Sequence, residues 1–220
     1  LAIVFYIPDT AVSQQLGDDK ELSDEERSEY TATLQTSLEK LTFLTNSLIK
    51  MSRLESGIIS LKPETNSLND ILLQAVKTVY AKAKEKNITM TFDCEQNFKA
   101  LLDFNWTAEA ITNVLDNAVK YTPSGGVVEL KIAEYPSYLR LDISDNGIGI
   151  PEEEQAKIFG RFYRGKQSAG IDGVGIGLYL TRDIVSKQCG YIKVKSDKSG
   201  STFSIFFRKS DALDEEPMDW

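Results

Sequence analysis

Histidine is missing from this chain altogether. That excludes imidazole-ligated metal centres, triads built on an imidazole base, and any phosphohistidine within these 220 residues. Cysteine is scarce. Cys94 and Cys189 stand far apart, without metal-ligand spacing, and read as small buried apolar residues of a reducing compartment, with one disulfide as the alternative. Long apolar runs are lacking too. LAIVFYI (1–7) is closed by Pro8, and there is neither a bilayer-length segment nor a signal-peptide pattern. Excess positive charge is also absent. The formal net charge of -8 argues against nucleic acid as a partner, because phosphate backbones require a basic face. A nucleotide needs only a local site and stays open. Internal repeats and low-complexity tracts do not occur.

What is present is an ordinary globular composition, 41% hydrophobic and 26% charged. Ser23 and Glu26 have capping-box spacing, which predicts a helix start. Leu34, Leu38, Leu41, Leu48 and Met51 then recur at helical steps, giving an amphipathic helix of roughly eight turns or more that stops at Gly57. Thr45 and Ser52 interrupt its stripe. Such a helix cannot bury its own apolar face and needs a partner from residues 1–16, from another subunit, or from both.

An extended connector (56–67) leads to a second helix (68–86) with a basic end, KAKEKN. Strands are predicted at 88–93 and 99–104, and a helix at 107–122. A hairpin follows at 127–133 and 138–145, then a short helix at 152–159. A helix at 174–188, capped by Gly190, precedes a hairpin at 191–196 and 201–207. The class is therefore α+β. A helical segment (1–60) precedes a two-layer α/β sandwich (61–208) with a mixed, mostly antiparallel sheet, and residues 209–220 form an acidic tail.

Four features of the second segment carry chemistry. Glu109, Asn113 and Asn117 fall at four-residue steps on one face of the 107–122 helix, which Lys120 and Tyr121 end. Paired amides offer oxygens to a hard cation and N–H groups to phosphate, although a solvated polar face has the same pattern. LDISDNGIGI (141–150) runs from a strand into Asp145, Gly147 and Gly149. This is either a plain turn or a place where a flat ligand meets backbone and the Asp145 carboxylate. An aromatic-basic cluster, FGRFYRG (159–165), precedes Gly173, Gly175 and Gly177, where a helix N-terminus starting near Val174 or Gly175 would face phosphate. Finally, SGSTF (199–203) places the Thr202 hydroxyl where it could serve beside Asp145. Each feature alone has a bland reading; four in one order are harder to dismiss.

Together these motifs resemble the ATP-binding catalytic domain of bacterial two-component sensor histidine kinases, the Bergerat-type fold shared with Hsp90 and type II topoisomerases. ITNVLDNAVKYT is similar to the N box, DNGIGI to the G1 box, FGRFYR to the F box, GVGIGL to the G2 box, and GSTF to the last glycine box. Residues 23–57, ending in MSRLESG, resemble the second helix of the dimerisation and phosphotransfer hairpin. The likeness runs from Ser23 to about Arg208.

The resemblance implies ATP and Mg2+ as cofactors. Asp145 would read the adenine amino group with support from Thr202, and Asn117 would ligate Mg2+. Asn113 would face the phosphates, with Lys120 and Tyr121 on phosphate and ribose. Gly147, Gly149, Gly173, Gly175 and Gly177 would shape the nucleotide wall and lid. Arg161, Phe162 and Arg164 would anchor the lid, an arginine reaching phosphate. Glu109 would polarise the acceptor. An amide at Asn113, where related ATPases carry a glutamate base, suits transfer better than hydrolysis.

The resemblance also implies a homodimeric four-helix bundle, a response-regulator receiver domain as partner, and a membrane anchor upstream. The departure lies at the front. Counting back from Pro8 in the family's His-Glu-Leu-Lys-Thr-Pro box puts Ile3 where the histidine belongs. Three explanations stay open: an H box outside or hidden within residues 1–16, a nucleotide-binding dimer that transfers nothing, or an acceptor histidine on another chain. The intact nucleotide motifs favour the first. Another branch of Bergerat-fold ATPases is disfavoured by the helix in front, the compact lid and Asn113.

Overall fold

The computed structural model describes residues 23–57, 60–93, 96–165 and 173–209. The expectations for residues 1–16, Cys94 and most of the acidic tail lie outside them. Helix α1, Asp24–Glu55, spans 32 residues. Its start is the expected capping box: Ser23 N donates to Glu26 Oε2 (2.9 Å), and Glu26 N donates to Ser23 Oγ (3.3 Å). Gly57, at φ +69°, follows its end.

The chain forms two compact units, one ending at Asn46 and the other beginning at Ser47. In the first, Leu34 and Leu38 are 64% and 63% exposed, leaving the predicted apolar stripe uncovered. In the second, Leu54 is buried and joins the core, so the last turns of α1 belong with the α/β segment, ahead of the expected boundary near residue 60.

The connector contains a strand that its polar sequence conceals. β1 (Glu64–Ser67) pairs antiparallel with β3 (Lys99–Leu102), Glu64 lying opposite Leu102. Between them lie α2 (Leu68–Glu85), whose N-cap Ser67 Oγ accepts from Asp70 N at 3.1 Å, and β2 (Thr89–Asp93). Helix α3 (Phe104–Tyr121) starts ahead of the expected residue 107, because Asp103 Oδ1 accepts from Trp106 N (3.0 Å) and caps it.

The main sheet takes in β4 (Val127–Glu134), β5 (Tyr138–Asp145), β6 (Tyr191–Asp197) and β7 (Gly200–Arg208), in the order β2-β4-β5-β7-β6. Only β2 and β4 run parallel. The short α4 (Glu152–Gln155) continues into a 3-10 turn at Lys157–Phe159. Helix α5 is Gly177–Ser186. It starts later than expected, because Gly175 holds φ +76°, outside the helical region. At its other end Cys189, φ +58°, is the left-handed residue instead of Gly190. Gly190 is required for a different reason: a Cβ there would clash with the Phe206 carbonyl oxygen. Helices α2, α3 and α5 cover one sheet face, and Leu72, Ile111, Leu115, Ile143, Ile184 and Ile205 lie fully buried between the layers.

Candidate nucleotide site

The site is built along α3. Ala110, Ile111, Val114, Leu115 and Ala118 are buried. Glu109, Asn113 and Asn117 occupy the half-buried rim one turn apart, as a 3.6-residue period requires. Beside Asn113 lies the first residue of α5: a Cβ on Gly177 would sit 3.6 Å from Asn113 Cγ and Oδ1. Its N-cap residue, Ile176, makes no side-chain capping bond, so the leading amides of α5 have no cap from that position. Asn113 Nδ2 is buried and has no hydrogen-bond partner among the described residues. An amide N–H group without an acceptor next to a helix N-terminus is a donor-rich corner suited to an anion.

The α3 C-terminus meets the turn after β5. Gly147 lies so close to it that a Cβ would stand 2.6 Å from the Tyr121 carbonyl oxygen and 2.7 Å from Asp145 Oδ1. Gly149, at φ +70°, packs on the far side, where a Cβ would clash with the Asp197 carbonyl. The two glycines were expected to clear space for a ligand. At both, the nearest neighbours an added Cβ would meet are the protein's own backbone, so the two glycines pack the turn that follows Asp145. Asn146 has the same duty: its Oδ1 accepts from Val127 N at 2.8 Å. Gly147 N donates to Asp145 Oδ1 (2.9 Å). Burial pushes the Asp145 carboxyl above its ordinary value, opposed by the Gly147 and Ser201 backbone.

Thr202 is not beside Asp145. The β5–β7 register sets Asp145 opposite Ser201 and Ser144 opposite Thr202. Successive residues of a strand face opposite sides, so Thr202 shares the outer face with Ser144, their hydroxyls 2.9 Å apart. Ser201, which is buried, takes the place expected of Thr202.

The aromatic-basic cluster divides. Phe159 is buried edge-on to Phe203, their ring centres 6.5 Å apart. Phe162 stays 39% exposed at φ +59°, against Gly175, which has no room for a Cβ beside the Phe162 and Tyr163 backbone. Arg161, one of the two arginines expected to anchor the lid, is bound to α1 and α5. Its guanidinium donates to Glu55 Oε1 of α1 and to the Tyr179 hydroxyl (2.9 Å), and lies over the Tyr179 ring. Tyr179 also donates to Glu55 Oε1, at 2.7 Å. Arg164 is exposed. A second tie from α1 reaches the rim, where Lys50 Nζ pairs with Glu109 Oε1 at 2.8 Å. Neither tie has a sequence signal, since each joins residues far apart in the chain. Lys120 completes the rim: a Cβ on Gly173 would stand 3.2 Å from its Nζ.

No cluster of three or more acidic, cysteine or histidine side chains that could hold a metal occurs among the described residues. A cation here would draw on the Asn117 amide oxygen plus oxygens of its ligand and water, a donor set that suits Mg2+. No helix among the described residues is long and apolar enough to cross a membrane.

A family model described as histidine kinase-, DNA gyrase B-, and HSP90-like ATPase matches residues 103–211. Over 168 residues the chain is 38% identical to sensor histidine kinase Hik2 of Synechocystis sp., covering 67% of this chain and 38% of that protein. Over 203 residues it is 32% identical to the circadian input-output histidine kinase CikA of Synechococcus elongatus, covering 89% of this chain and 26% of that one. The chain thus spans well under half the length of these curated relatives. Among solved structures, a mycobacterial sensor histidine kinase, MprB, superposes with TM-score 0.60 at 26% identity, covering 66% of this chain and 97% of that chain.

Proposed function

Since the chain carries a sensor histidine kinase catalytic domain, of the histidine kinase-, DNA gyrase B- and HSP90-like ATPases, we propose that it binds Mg-ATP and passes the γ-phosphoryl group to a histidine side chain that these 220 residues do not contain. The observation that best supports this reading is the Asn113 corner: a buried, unpartnered amide N–H group against the first residue of α5.

In this reading Asp145 accepts from the adenine amino group, with Ser201 at its side. Asn113 and the α5 amides hold phosphate oxygens, and Lys120 and Tyr121 contact phosphate and ribose. Asn117 would hold Mg2+, which when bound offsets charge on the phosphates. Asn113 is no base, so water is left unactivated and an imidazole nitrogen is the better nucleophile. The bond between the γ-phosphorus and the β–γ bridging oxygen breaks, a nitrogen–phosphorus bond forms, ADP leaves, and the imidazole proton passes to a base. Glu109, one turn from Asn113 on the same rim, is the carboxylate this reading assigns to that proton, once released from Lys50.

The exposed Leu34–Leu38 stripe supports a homodimer through α1. A response-regulator receiver domain would then take the phosphoryl group onto an aspartate. In the expectation that the family resemblance carries, the parent protein would be anchored in the cell membrane, with this portion on the cytoplasmic side. The absence of histidine favours a second reading, a nucleotide-gated dimer that transfers nothing. Incubating the chain with labelled ATP and a His-bearing phosphotransfer hairpin separates the two. Acid-labile label on the hairpin supports the kinase; ATP binding without label supports the scaffold; no binding overturns both.

A further inference from the structure

Lys86 follows α2 and makes no contact expected of a nucleotide ligand, yet its side chain lies at the end of the nucleotide helix. Its Nζ donates to three carbonyl oxygens of the α3 C-terminus: Val119 (2.8 Å), Lys120 (3.0 Å) and Thr122 (2.6 Å). The last carbonyls of a helix lack intrahelical partners and carry its negative pole, so one ammonium satisfies an end that otherwise needs water. An ammonium has three donors, and all three are used.

The Lys86 backbone serves the same place, since Gly125 N donates to its carbonyl oxygen at 2.9 Å. The one carbonyl in this series that Lys86 does not take, Tyr121 O, accepts from Ile148 N (3.4 Å) and abuts Gly147. Thus α2, the end of α3 and the turn behind Asp145 form one connected unit, with the Lys86 ammonium at its joint.

We infer that Lys86 is a positioning residue for the nucleotide site, its charge holding Lys120, Tyr121 and the Gly147 turn in register with Asn113 and Asn117. This rests on the ATP reading for its effect on affinity, but its effect on the turn is independent of that reading.

The test is calorimetric titration of the full chain with Mg2+ and a non-hydrolysable ATP analogue, alongside amide hydrogen exchange at Thr122 and Ile148 without nucleotide. Lys86→Met is expected to weaken the analogue at least about tenfold, in the range for a lost charge-assisted contact, and to speed exchange at both amides. Lys86→Arg, which keeps charge and donors, should restore affinity to within about threefold. Lys82→Ala, which removes only the exposed pair with Asp116 (2.5 Å), controls for general destabilisation and should leave affinity unchanged. If Lys86→Met does not fold, Lys86→Gln replaces it, with several-fold weakening expected.

Unchanged affinity and exchange in the neutral variant overturns the inference. So does weakening that Lys86→Arg fails to repair, or that Lys82→Ala reproduces. If the unaltered chain binds no analogue, the ATP reading fails by itself, and exchange at Ile148 alone decides whether Lys86 holds the turn.

Discussion

One oxygen of Glu55, at the last position of α1, receives both the Arg161 guanidinium and the Tyr179 hydroxyl. The hydroxyl, and then the guanidinium, hold the Glu55 carboxyl below its ordinary value against a burial penalty. One nitrogen of Arg161, Nη2, serves both Glu55 and Tyr179, so in the ATP reading a phosphate has to compete with them for that end of the guanidinium.

Glu55→Gln should therefore free Arg161 and tighten binding of an ATP analogue by about two- to fivefold, the scale of an exposed ion pair. Calorimetry at fixed Mg2+ measures it, and equal or weaker binding refutes the competition. The pH sign follows from the lowered carboxyl. The tie is complete above the ordinary glutamate range and is lost as pH falls through the depressed value, so side-chain NMR signals of Arg161 should report release only in acid.

Asp145→Asn should separate binding from stability. A carboxylate accepts the adenine amino hydrogen, whereas an amide that turns its NH2 group there cannot; affinity should fall roughly tenfold to a hundredfold. Because burial raises the Asp145 pKa, the folded chain holds that proton more tightly than the unfolded one. The carboxyl's favourable share of stability is present at low pH and lost as pH rises. At pH 7 the Asn variant should thus melt no lower than the original. In the unaltered chain affinity should decline on acidification from a pH above the usual aspartate range, and this dependence should vanish in the variant. A lowered melting temperature with retained binding contradicts both parts.

Two left-handed glycines make a matched pair. Gly57 (φ +69°) has open space where a Cβ would stand, whereas Gly149 (φ +70°) is pressed against the Asp197 carbonyl. Gly57→Ala should cost about 1 kcal/mol, the backbone preference alone. Gly149→Ala should cost at least about 3 kcal/mol, because backbone must move as well. Urea unfolding compares them, and similar midpoints would show that the tight turn relaxes without strain.

The stripe on α1 gives a test of assembly. Replacing the exposed Leu34 and Leu38 together by alanine should leave melting of the catalytic domain within about 0.5 kcal/mol, as for surface changes, while shifting sedimentation from dimer to monomer. A dimer that survives unchanged removes this face from the interface.

Much of this was legible because helices advertise their faces. The four-residue spacing of Glu109, Asn113 and Asn117 put all three on the α3 rim, and the Ser23–Glu26 box marked the α1 start to the residue. Pairing through backbone was harder to see. β1 is Glu-Thr-Asn-Ser, with no apolar alternation, and it exists because its peptide groups meet those of β3. Register was harder still. Thr202 and Ser201 are neighbours, yet only the β5 ladder decides which of them stands with Asp145, since a one-residue step exchanges sheet faces. The ties from Glu55 to Arg161 and from Lys86 to the α3 carbonyls join segments whose proximity no local pattern encodes.

The Asp145–Ser201 pairing also dates the site within the life of the chain. β5 gains its floor neighbour only when β7 arrives, after two helices and a further strand have been made. Contacts of such long sequence separation form late, after loop closure has been overcome. A ribosome-bound chain would hold α3 and the Gly147 turn well before it could set Ser201 beside Asp145. On the ATP reading, nucleotide recognition would then report a completed sheet, and ATP would stabilise only molecules that have finished folding.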